Sequence, residues 1–158
     1  MTNNILKAEI HVHLEATITP DLCRKFAKRN NVDISEYGLG RSCGGMVIGT
    51  YFDVYMQDDV TSISVFIKDN SVAGAIIYAS LYEIDLGTTQ IWLTQSDDYA
   101  LQQQDLGNWV TLSFPISQAV FPGTFMAAVG GYSHPIDTSI IGMSHYTFPS
   151  TCYIQKNG

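Results

Sequence analysis

The chain has 158 residues, 46% hydrophobic and 15% charged, a composition that suits one folded domain with a real core, or a domain plus an appendage, and not a disordered chain. Its formal net charge of −7 argues against binding to phosphate backbones and to anionic membrane surfaces, both of which recruit Lys and Arg. No apolar run approaches the ~20 residues of a membrane-spanning helix, and MTNNILKAEIHVHLE lacks the apolar stretch and small-residue cleavage site of a signal peptide, so a cytoplasmic start is expected.

In chain order, residues 5–14 alternate on a β period and predict a strand. A helix follows: Thr19 is a suitable cap, Pro20 fits the first helical position and Asp21 suits the positive end of the dipole. Leu22, Phe26 and Ala27 form its apolar stripe, and Asn30 and Asn31 are terminators. This reads as a single β-α unit.

The composition changes at GLGRSCGG, residues 38–45. Residues 1–41 hold six of the eight basic residues, whereas the remainder holds only Lys68 and Lys156 against ten acids. Glycine at that density marks a joint or loop. The chain is therefore divided into a strand-helix segment over residues 1–40 and a second domain over residues 44–158.

The second domain reads almost entirely as strand. The predicted strands are 46–56, 61–69, 73–85, 90–95, 108–114 and 123–132, with one or two more near HYTF and TCYIQ. Within the second of these, Ile63, Val65 and Ile67 share one face. Turn chemistry separates them at DNS, DLGTT, DLGN and FPG. Short strands at this spacing predict a mainly β protein: an antiparallel β-sandwich, of jelly-roll or immunoglobulin-like type, preceded by the short strand-helix segment.

Three cysteines, Cys23, Cys43 and Cys152, allow at most one intrachain bridge, and Cys43 with Cys152 is one candidate pair. Carboxylates gather in the turns at Asp58, Asp59, Asp69, Glu83, Asp85, Asp97, Asp98 and Asp105. Calcium takes such oxygen ligands, although Asp is a turn residue in its own right and no DxDxDG loop is present. Tyr51, Tyr55, Tyr78, Tyr82, Trp92 and Trp109 would suit a sugar platform; on strands such residues also serve as core or cross-strand pairs.

His11, His13 and Glu15 fall on one face if the first strand reaches that far, and two imidazoles so placed suit one Zn²⁺. KAEIHVHLEATITPDLCRKFAKRNN resembles the N-terminal strand and first helix of the adenosine and adenine deaminase family, over residues 5–37. The resemblance implies that His11 and His13 are zinc ligands and that Glu15 and Ala16 lie toward a purine nucleoside. The family usually has glycine at the position of Ala16, and the HAGE-like segment and the rest of its (β/α)₈ barrel have no counterpart here. Residues 46–158 resemble β-sandwich modules of secreted and surface proteins of Bacteroidetes-type bacteria, in YFDVY, TSISVFIKDNSVAGAIIYASLYEID, LGNWVTLSF and PGTFMAAVGGY. That likeness implies an adhesion, carbohydrate-binding or spacer role outside the cell.

The expectation is thus a non-catalytic β-sandwich that binds carbohydrate or a protein surface, or serves as a spacer, joined to an incomplete deaminase-like start. The alternative is a zinc-dependent aminohydrolase acting on purines. A join of two unrelated reading frames at residues 38–45 would account for the change in composition.

Overall fold

The structure, a computed structural model, describes residues 35–39, 46–85, 89–132, 139–143 and 152–156. Ten strands carry almost all of it: β1 (Ser35–Leu39), β2 (Met46–Val54), β3 (Asp58–Phe66), β4 (Ile76–Asp85), β5 (Thr89–Gln95), β6 (Tyr99–Ala100), β7 (Trp109–Val120), β8 (Gly123–Gly131), β9 (Ser139–Met143) and β10 (Cys152–Lys156). One 3₁₀ turn, Gln103–Asp105, precedes β7. The predicted strand-helix segment of residues 5–30, HYTF, Cys23 and Cys43 lie outside the described residues.

Every pairing is antiparallel. The larger sheet runs β10–β2–β8–β4–β5, with β6 added against the start of β4. Two further pairs, β1–β9 and β3–β7, are linked where β3 ends: Ile67 bridges Ile141, and the Lys68 N–H donates to the Ile140 carbonyl at 2.9 Å. The protein is mainly β, with antiparallel sheets in a sandwich-like arrangement.

The core lies between the sheets and follows from the period-2 alternation of each strand. Ile77, Ala79 and Leu81 of β4 enter it from the larger sheet, with Phe125, Ala127 and Val129 of β8. Ile63, Val65 and Ile67, the predicted face, enter it from the other side with Leu112 and Ile141. A second, smaller apolar layer sits on the outer face of the larger sheet, made of Val47, Met126 and Ala128 beneath Tyr51, Tyr78, Tyr82 and Ile84.

Two differences from the sequence reading have their causes in strand pairing. β7 continues six residues beyond the predicted end at Phe114, to Val120, despite Pro115. The register slips there: Ser62 faces Ser113 while Val60 faces Gln118, so residues 114–117 bulge opposite Thr61 and the proline need donate no ladder hydrogen bond. Ser35–Leu39, given no element of its own from sequence, is a strand paired with β9.

Candidate functional site

The outer face of the larger sheet is built by register. Tyr51 of β2 faces Met126 of β8, Met126 faces Tyr82 of β4, and Tyr82 faces Trp92 of β5. Directly paired residues share a face, so these four form one row running across the strands. Met126 is fully buried, whereas Trp92 is 58% exposed at the edge strand. The adjacent row is Gly49, Ala128, Ser80 and Gln95; beyond it Val47, Gly130 and Tyr78 align. On the other side stand Asp53, Thr124, Ile84 and Gln90.

Small residues let the rings lie flat. A Cβ on Gly130 would run into the ring of Tyr78, and one on Gly49 would approach Met126 Cγ to 2.8 Å. Tyr78 lies over the backbone of β8, and its ring centroid is 5.4 Å from that of Tyr132. The Tyr132 hydroxyl donates to the Asp98 carboxylate, with oxygens at 3.0 and 3.2 Å. The hydrogen bond to Asp98, followed by partial desolvation and the carboxylate's charge, pushes the Tyr132 phenol up. Burial pushes Tyr78 up, reinforced by the neighbouring Tyr82 and Tyr132 hydroxyls and by Asp98. Both stay neutral at physiological pH, and Tyr132 serves as a hydrogen-bond donor.

Polar partners flank the row. Thr124 Oγ1 donates to Asp53 at 2.7 Å, and Ser80 Oγ donates to Gln95 Oε1 at 3.2 Å. β2, β8, β4 and β5 contain no lysine, arginine or histidine.

Four of the six aromatic residues singled out from sequence, Tyr51, Tyr78, Tyr82 and Trp92, therefore share this face. The other two do not. Tyr55 stands in the β2–β3 connection, 85% exposed, and Trp109 lies on β7, edge-on to Phe66 at 5.8 Å. Tyr132 and Met126 belong to the face or its margin and were not singled out, and Asp98 was singled out only among the turn carboxylates. Their signal is long-range strand pairing, which a local pattern does not contain.

Two of the turn carboxylates, Asp58 and Asp105, make local hydrogen bonds. Asp58 accepts the Asp59 N–H at 2.8 Å. Asp105 accepts the Tyr99 hydroxyl at 2.9 Å and the Gln102 N–H at 2.7 Å. Among the described residues no three His, Cys, Asp or Glu side chains gather at a metal-sized site. The sequence-derived zinc candidates His11 and His13, with Glu15 and Ala16, lie outside the described residues, as do His134 and His145.

Aromatic faces backed by a rigid sheet, with amides, hydroxyls and carboxylates at their margins, can stack on the apolar face of a ligand while hydrogen-bonding its edges. Comparison with protein-family models, with curated proteins and with solved structures finds no match to this chain.

Proposed function

We propose that the chain is a non-catalytic binding module of a secreted protein, folded as a jelly-roll sandwich, that takes carbohydrate on the outer face of β2–β8–β4–β5. The strand order supports the jelly-roll type. With the two-residue β6 and the outlying β10 set aside, eight strands remain. Counted along the chain, they run first, eighth, third, sixth on one side and second, seventh, fourth, fifth on the other. Two Greek keys wound together give that order.

The observation that carries the binding reading is the in-register row Tyr51–Met126–Tyr82–Trp92, open to solvent at Trp92. Pyranose rings present flat C–H faces that stack on such side chains, while their hydroxyls meet groups like those of Gln90, Gln95 and Thr124. Secretion rests on the resemblance of residues 46–158 to surface-protein modules. Native gel electrophoresis with dissolved polysaccharides tests the reading. The chain is expected to be retarded by at least one of soluble β-glucan, xylan or galactomannan, and Trp92→Ala to migrate freely. Free migration of the unaltered chain through a wide polysaccharide panel removes the reading.

A further inference from the structure

We propose that this face takes a single, extended, uncharged polysaccharide chain lying across the strands along Tyr51, Tyr82 and Trp92. The inference rests on the carbohydrate reading above and adds the ligand's charge, its length and its direction on the sheet.

Direction and length come from sheet geometry. Neighbouring strands lie ~4.8 Å apart, about the advance of one pyranose unit in an extended chain. Tyr51 and Tyr82 are two strands apart, and Trp92 is one strand further. Their backbone positions along the row therefore fall at roughly 0, 10 and 14 Å. Four consecutive sugars span that distance. Met126, buried between Tyr51 and Tyr82, sets the gap under the second.

Twist selects a single chain. Adjacent strands rotate by roughly 20–25°, so three steps turn the platforms by about 60–75°. A flat crystalline surface meets such a row at one ring at a time, whereas a free chain can turn with it.

Charge selects an uncharged ligand. The four strands offer no basic side chain; Asp53 of β2 stands on the face, and Asp98 meets Tyr132 at its margin. A uronate or sulfated chain would meet carboxylates with no countercharge on these four strands, in a chain of net charge −7. Hydroxyl groups meet Gln90, Gln95 and Thr124, all partly exposed.

The test is calorimetric titration of the full chain with the best-retained soluble polysaccharide and with its oligomers of one to six units. Polygalacturonate and microcrystalline cellulose are measured alongside, with sedimentation to give the oligomeric state. The expected result is a Kd at least tenfold lower for the four-unit oligomer than for the two-unit one, with little further gain beyond six. Trp92→Ala and Tyr51→Ala should each weaken binding about tenfold with unchanged near-ultraviolet circular dichroism, and Trp92→Phe should restore most of it. Equal affinity for one and four units, tighter binding of polygalacturonate, or retention on crystalline cellulose overturns the inference while the carbohydrate reading stands. Failure to bind any glycan overturns both, as does a dimer that Trp92→Ala dissociates in a chain blind to glycans.

Discussion

The ring of Tyr78 fills the space above Gly130 that any larger residue would need. Strand interiors rarely favour glycine, because it packs nothing and loses the most backbone freedom. Here its bareness lets Tyr78 fold down toward Tyr132. Gly130→Ala should lower stability by about 1–3 kcal/mol, the usual effect of overpacking, as read by urea denaturation. In a Tyr78→Ala background the same change should have little effect. Equal losses in both backgrounds would show that the ring is not the cause.

Ser96 ties β4 to the turn that follows β5. Its buried hydroxyl accepts the Ala79 N–H at 2.9 Å and donates to the Asp97 carbonyl at 2.9 Å, and its own N–H donates to the Ala79 carbonyl at 2.9 Å. Ser96→Ala leaves a buried backbone N–H without that acceptor, so a loss of about 1–3 kcal/mol is expected, with an unchanged denaturant slope. A loss below the error of the denaturation curve would contradict this role.

The two sides of the larger sheet should respond differently to truncation. Leu81 is fully buried between the sheets, and Leu81→Ala should cost about 2–5 kcal/mol. Trp92, mostly exposed, should change stability by roughly 0.5 kcal/mol or less when replaced by alanine. Thermal melts of the two variants check the contrast. A large loss at Trp92 would place it in a packed interface and not on an open face.

The tyrosines predict a weakening at alkaline pH. Tyr99 is pushed up by its hydrogen bond to Asp105, then by partial burial and by the Asp105 charge; Tyr132 is pushed up likewise through Asp98. Burial is the leading cause at Tyr78. A phenol whose folded-state pKa lies above its unfolded value near 10 favours the folded state while protonated. That contribution is complete below about pH 10 and disappears as pH rises through the folded value. The melting temperature should therefore fall above about pH 10, less steeply in Tyr132→Phe. Phenolate absorbance should show Tyr78, Tyr99 and Tyr132 ionising above the usual phenol value near 10.

Much of the sandwich was legible because each strand's alternation declares its own buried face. Ile63, Val65 and Ile67 were read as one face and all three are in the core. The break at DNS also falls between elements, as do Phe121 and Pro122 of FPG, whose Gly123 opens β8. The bulge that carries β7 past Pro115 was not legible, since proline speaks against strand and only the partner's slipped register accommodates it. The candidate face was half legible. Tyr78 and Tyr82 lie four apart on one strand and so share a face by period alone. Joining them to Tyr51, Trp92 and Met126 requires the pairing of β2 with β8, where Tyr51 and Met126 are 75 residues apart, of β8 with β4, and of β4 with β5. Period separates neither Tyr55 nor Trp109 from the set; a turn removes one and the other sheet removes the second.

The most direct test of the proposed binding face uses the chain's two tryptophans. Trp109→Phe keeps an aromatic ring against Phe66 and leaves Trp92 as the sole tryptophan emitter. Acrylamide quenching is then measured with and without the soluble uncharged polysaccharide that retards the chain most on native gels. Trp92 should be readily quenched alone, and shielded with a blue-shifted emission once the polysaccharide is bound. Unchanged quenching and emission at concentrations that retard the chain would place the glycan elsewhere and contradict the assignment of the β2–β8–β4–β5 face.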